Sequence, residues 1–207
     1  IRSSNHLTLE ALFKSNGANT IQMGVVKDDM DSITKLIETA LLTSNIVVTT
    51  GGVSVGDYDF VQDVIKDKLK AEVLFHGVNL KPGMHILLAL KDNKIIVALP
   101  GFAYSSTVCA MLYVLPLIYK FRNSNEKLPL VKARINQDFS RFQAKTIFTA
   151  CNVEYKNGEY QINFDGKKSG TSAILTNMLE SPALLIQKEN SKNIKAGDLV
   201  DILLLNN

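Results

Sequence analysis

Leu9, Leu12 and Phe13 recur at helical spacing and predict a helix over 3–14, with Ser4 or Asn5 to cap it and Gly17 to end it. The run 20–26 predicts a strand. Ile33, Leu36, Ile37, Ala40 and Leu41 form a second stripe behind Asp28, Asp29 and Asp31, and acidic residues in a first turn suit the helix dipole. A β-branched run at 45–50 reads as a buried strand that ends directly in Gly51-Gly52. A helix follows at 59–69, then strands at 73–80, 85–90 and 94–99, the last two joined by a Lys-Asp-Asn turn. Pro100-Gly101 interrupts the pattern, and Ser105 opens a long apolar helix to about Phe121. This alternation predicts a layered α/β domain around a mainly parallel sheet.

The pattern changes after Phe121. A polar stretch ending in Pro129 reads as a linker. Beyond it lie short β segments at 131–135, 146–155, 160–164, 183–187 and 199–205, separated by Gly- and Asn-containing turns. The chain is therefore read as two domains, 1–125 of α/β type and 126–207 of small β-rich type.

Composition narrows the field. Of 207 residues, 46% are hydrophobic and 21% charged, which allows a buried core. The 23 basic and 20 acidic residues give a net charge of +3, and the lysines are spread along the chain, so no nucleic-acid stripe is expected. The longest apolar stretch, 108–119, falls short of the ~20 residues that a bilayer needs, so no membrane association is expected. Cys109 and Cys151 lack metal spacing and read as buried hydrophobes in a reduced, cytoplasmic setting. The lone histidines His6 and His76 read as structural. The absence of an initiator Met suggests a fragment of a longer protein.

The richest stretch is Thr49-Thr50-Gly51-Gly52-Val53-Ser54-Val55-Gly56-Asp57-Tyr58-Asp59. A buried strand feeds three glycines in six residues. Glycine backbones accept positive φ and let N–H groups approach a ligand, hydroxyls add donors, and the following helix N-terminus favours anions. Ligands of open α/β sheets bind at the carboxyl ends of strands. Asp57 and Asp59 would repel a phosphate unless a cation sits between, and this spacing suits Mg²⁺ or another divalent metal. On residues alone, the glycines also fit a plain turn and Asp59 a helix cap.

This loop resembles the signature loop of the MoeA/gephyrin E-domain family. So do Ile1-Arg2-Ser3-Ser4-Asn5, Gly24-Val-Val-Lys-Asp-Asp29, Leu80-Lys81-Pro82-Gly83, Leu99-Pro100-Gly101, Lys168-Ser169-Gly170-Thr-Ser172 and Ala196-Gly-Asp-Leu-Val200, in the family's order. The resemblance implies a three-layer MogA-like molybdopterin-binding domain followed by a barrel-like C-terminal domain. It implies insertion of molybdate into adenylylated molybdopterin with release of AMP, downstream of a MogA-type adenylyltransferase. Molybdopterin and molybdate would be substrates and a divalent metal the helper. It further implies that Asp57, Asp59 and Lys81 act in catalysis, the two aspartates near the metal. Thr50, Gly51, Gly52, Ser54, Gly56, Pro82, Gly83, Pro100, Gly101, Ser105 and Ser169 would bind substrate. Ser105 also suits an N-cap. Family members are typically dimers, so a homodimer is expected at full length.

The chain departs from the family pattern at three places. Phe102 and Ala103 stand where the family has Asn and Pro, and Met84 and His85 where it has Lys and Pro. In the β-domain, Lys145 stands at a position where arginines are usual, with Arg141 out of register. These changes thin the oxyanion site and keep a second reading open, a non-catalytic pterin carrier or scaffold. A MogA-type adenylyltransferase is a third, against which the β-domain speaks. A competence-damage-type hydrolase shares the fold but not the full motif set.

Overall fold

The structure, a computed structural model, describes residues 4–53, 60–140, 144–168, 173–179, 182–191 and 193–205. The chain divides into two compact units. Unit 1 comprises residues 1–78 and 83–125, and unit 2 comprises 79–82 and 126–207.

In unit 1, α1 (Asn5–Ser15) buries Asn5, Leu9 and Phe13, one residue per turn. Ser4 occupies its N-cap position without a capping side-chain bond, and the Asn5 side chain is engaged elsewhere. The helix α2 (Met30–Thr43) buries Ile33, Ile37, Ala40 and Leu41. Asp29 is its true cap: its Oδ1 accepts the Ser32 N–H at 2.8 Å, and that bond holds its carboxyl below the usual range. Between them, the strand expected at 20–26 is absent. The segment has no regular secondary structure, and among the described residues no strand pairs with it. Side chains hold it instead: Gln22 Nε2 donates to the His6 carbonyl and to Glu10, and Met23 and Val26 pack on the core.

The strand β1 (Ile46–Thr50) leads to α3 (Phe60–Asp63), which widens into a π turn over Val64–Lys68. Then come β2 (Glu72–His76), β3 (Leu80–Lys81) of unit 2, β4 (Leu87–Lys91) and β5 (Lys94–Leu99). The sheet of unit 1 has the order β1-β5-β4-β2. The layered α/β architecture is as the motifs imply, but the described sheet is mixed. β1 runs parallel to β5, while β5–β4 and β4–β2 are antiparallel. The reason is local: Asp92 and Asn93 both adopt positive φ (49° and 62°), the backbone of a two-residue hairpin turn, so β4 and β5 must reverse. One face of the sheet puts Val47, Leu87, Ala89, Ile96 and Ala98 into a core with α2 and α3 residues. The alternate residues Leu88, Val97 and Leu99 are as deeply buried on the opposite face.

The long helix runs from Ala103 through α4 (Ala103–Cys109) and a π turn to α5 (Leu115–Phe121). At 19 residues and a mean hydropathy of 1.2 it exceeds the apolar stretch at 108–119 and reaches the lower limit of a membrane span by length and composition. Yet most of it is buried inside the fold, which assigns its apolarity to the core.

Unit 2 is a closed barrel. β7 (Thr146–Lys156), β8 (Glu159–Asn163), β6 (Leu130–Ile135), β10 (Leu199–Leu204) and β9 (Pro182–Gln187) pair in that order, and β9 returns to β7. β3 adds to β7 as a sixth strand. Closure leaves few free edges. The alternate positions Ala133 and Ile135, Ala183 and Leu185, and Val200 and Ile202 fill the barrel with Cys151 and Ile162. The β7–β8 hairpin turns at Asn157-Gly158, both with positive φ.

Both cysteines are free and fully buried, and burial pushes each thiol up to about 12. Roughly one thiol in ten thousand would then be ionised at pH 8. We expect iodoacetamide at pH 8 to label neither cysteine in the native protein and both after denaturation, as read by mass spectrometry. Fast native labelling would contradict this packing.

Candidate functional site

The only parallel pairing in the described sheet of unit 1 brings two chain turns together. Thr50 is in register with Leu99, so β1 and β5 end side by side and deliver Gly51-Gly52 and Pro100-Gly101 to one edge. The Gly51 N–H donates to the Leu99 carbonyl at 3.0 Å. The two glycine backbones nearly touch: a Cβ on Gly101 would lie 3.5 Å from the Gly51 Cα. Gly51 and Gly52 hold φ of +85° and +67°. At Gly52 a side chain is excluded twice, because its Cβ would also fall 2.6 Å from Val61 Cγ2. The Gly52 carbonyl in turn accepts the Val61 N–H at 3.1 Å, which ties the turn to the start of α3.

The second turn enters the long helix. Phe102 is its N-cap and the helix begins at Ala103, so Ser105 does not cap it. Ser105 lies inside the first turn at 3% exposure. Its neighbours Ser106 and Thr107 donate their hydroxyls back to the Ala103 carbonyl, at 3.0 and 2.8 Å. Small hydroxyl residues are therefore packed where the helix is most electropositive. Thr49 Oγ1, one residue before Thr50, is buried with no hydrogen-bond partner among the described residues.

One contact was not foreseen. Asn5 in α1 is 7% exposed and donates its Nδ2 to the Gly101 carbonyl at 2.8 Å, across 96 positions of sequence. Its signal was a polar residue on the stripe that Leu9 and Phe13 share.

The remaining expected residues distribute differently. Lys81, exposed at the end of β3, and the buried Pro82 belong to unit 2. Gly83 belongs to unit 1, where its carbonyl accepts the Cys109 thiol at 3.5 Å. Ser54, Gly56, Asp57, Asp59 and Ser169 lie outside the described residues. Among the described residues, no group of three or more His, Cys, Asp or Glu is arranged to hold a metal.

A strand-end glycine pair facing a second glycine turn at a helix N-terminus is an arrangement that can receive an anionic group. Residues 1–120 match the family described as "probable molybdopterin binding domain", and the chain belongs to that family. It is 31% identical over 206 residues to a molybdopterin molybdenumtransferase of Staphylococcus aureus strain Mu50, covering 99% of this chain and 48% of that protein. To the Staphylococcus epidermidis protein of the same name it is 32% identical over 209 residues, with the same coverage. The crystal structure of the molybdopterin biosynthesis MoeA protein from Pyrococcus horikoshii OT3 superposes with a TM-score of 0.74 at 25% identity, over 99% of this chain and 47% of that one. The chain thus spans about half the length of the relatives it matches.

Proposed function

We propose that the full-length protein works in molybdenum cofactor assembly, inserting molybdate into adenylylated molybdopterin and releasing AMP. The observation that carries this reading is the approach of the Gly51 and Gly101 turns at the carboxyl ends of β1 and β5. Two backbones that close leave N–H groups, rather than side chains, to meet a phosphate. The names of the relatives at 31–32% identity support the same chemistry.

In this reading Thr50, Gly51, Gly52, Ser54, Gly56, Pro82, Gly83, Pro100, Gly101, Ser105 and Ser169 bind the pterin phosphate, nucleotide or oxyanion. Lys81 supplies a point charge for molybdate or phosphate. Asp57 and Asp59 orient the oxygen nucleophile that opens the phosphoanhydride, a reaction governed by positioning and charge. The family's divalent metal would need those two aspartates, because the described residues offer no site of their own. A MogA-type adenylyltransferase would supply the substrate in the cytoplasm. The working unit would be a homodimer, which light scattering of the full-length protein would detect.

The test is AMP release from adenylylated molybdopterin by the full-length protein, with and without molybdate. Release that requires molybdate is expected. One observation favours the second reading, a pterin carrier: Phe102 stands 63% exposed beside Gly101, where the family has asparagine. Folded protein that binds molybdopterin and releases no AMP would decide for the carrier.

A further inference from the structure

We propose that Asn5 is the positioning residue of the glycine cradle, setting the spacing of its two turns and thereby its affinity for the pterin phosphate. This rests on reading those turns as the substrate site.

Asn5 is one of three buried residues on α1, the other two being Leu9 and Phe13. An amide is a poor choice there for stability alone. Burying one without a partner is costly, and a satisfied one gains little over an apolar residue of similar size. What the amide adds is direction. The regular pairing of β5 ends at Leu99, so no ladder bond reaches Gly101, an exposed residue behind a proline. Asn5 Nδ2 supplies the missing constraint from α1.

That bond fixes more than one oxygen. The sole cis peptide among the described residues is Lys81–Pro82, so the Gly101–Phe102 peptide is trans and planar. With the Gly101 carbonyl held toward Asn5, the Phe102 N–H of the same peptide must point the opposite way. No backbone acceptor takes that N–H among the described residues. Asn5 therefore aims a backbone donor, at the mouth of the long helix, that does not depend on the side chain at 102. This accounts for how the site could tolerate phenylalanine there.

The experiment uses two variants of the full-length protein. Asn5→Leu keeps the apolar packing and removes the donor. Asn5→Asp keeps the shape and removes the donor until its carboxyl is protonated. Amide hydrogen exchange is followed over residues 99–106 without ligand, and the dissociation constant for molybdopterin is measured from pH 4 to 8. We expect exchange over 99–106 to quicken in both variants at neutral pH while β4 and β5 keep wild-type protection. The dissociation constant should rise about tenfold, with the melting temperature of Asn5→Leu near that of the wild type. Binding by Asn5→Asp should recover relative to wild type as pH falls through the carboxylate range, because the protonated acid can again donate to Gly101. A purely structural asparagine would give lower melting temperatures and no such pH-dependent recovery.

Unchanged exchange over 99–106 would overturn the proposal, and so would faster exchange with unchanged affinity. Should Asn5→Leu fail to fold, the Asn5→Asp pH series decides alone: recovery in acid supports the proposal and a pH-independent affinity overturns it. Wild-type protein that binds no molybdopterin would overturn the functional reading instead, and the exchange data would still decide whether Asn5 holds the Gly101 turn.

Discussion

Gly52→Ala is expected to destabilise the protein by about 2–5 kcal/mol, the sum of two separate penalties. The first is conformational. At φ +67° an L-residue brings its Cβ against the carbonyl that follows, at about 1–2 kcal/mol. The second is steric. The new Cβ falls 2.6 Å from Val61 Cγ2, a methyl of a buried β-branched residue that cannot swing aside as a lysine tip would. Overpacking of this kind costs about 1–3 kcal/mol. The two are separable, because Val61→Ala removes the clashing methyl and leaves the dihedral strain. In a double-mutant cycle by urea unfolding, Gly52→Ala with Val61→Ala should show about 1–2 kcal/mol of favourable coupling. Gly24→Ala is the control: it has similar φ, +86°, and nothing within 4 Å, so only the first penalty applies. Equal losses at Gly24 and Gly52 would mean that the approach of Val61 is not a real constraint.

Asp57→Asn should lower molybdate-dependent AMP release by about 10²–10⁴-fold, the range for a carboxylate that handles a proton or orients a nucleophile. The substitution keeps the shape of the side chain and removes its charge. The effect should fall on kcat, with molybdopterin affinity held within a few-fold, since the glycine turns would do the binding. A comparable loss in affinity would assign Asp57 to binding, and full activity would remove it from the mechanism. Asp59→Asn tests the partner, and a weaker effect there would favour the helix-cap role that its place just before Phe60 also allows.

Where the sequence was legible, one element carried its own signal. The stripe Ile33, Ile37, Ala40, Leu41 named both α2 and its buried face, and the barrel strands were short apolar runs set between Gly- and Asn-containing turns, so β6 to β10 fell within a residue or two of expectation. Elements that depend on a partner were not legible. Residues 20–26 look like a strand, but a strand exists only where another lies beside it, and none does among the described residues. Leu80–Lys81 is too short to show any period. In the site, Gly51, Gly52 and Gly101 could be found because positive φ and close approach leave glycine as their mark. Asn5 could not, since a bond across 96 residues has no local trace beyond a polar residue on an apolar stripe. Ser105 was misplaced by the usual preference for serine at a cap, whereas the helix starts two residues earlier behind Phe102.

The passage of Asn79–Pro82 into unit 2 has a consequence for how the chain is made. Leu80 pairs with Thr146, so 146 − 80 = 66 residues must follow it through the ribosome before its partner strand begins to emerge. At the usual pace of synthesis that is roughly 3–13 s. The early residues of unit 1 have time to collapse in that interval, with a four-residue loop of the other unit carried along unpaired. Leu80, 8% exposed once folded, is then an apolar side chain on open display. Nor does any single cut separate the units. A fragment ending at Asn125 keeps a strand that has nothing to pair with, and one starting at Glu126 leaves the outer edge of β7 bare. Dissecting this protein by truncation would therefore create a sticky edge in whichever half is kept.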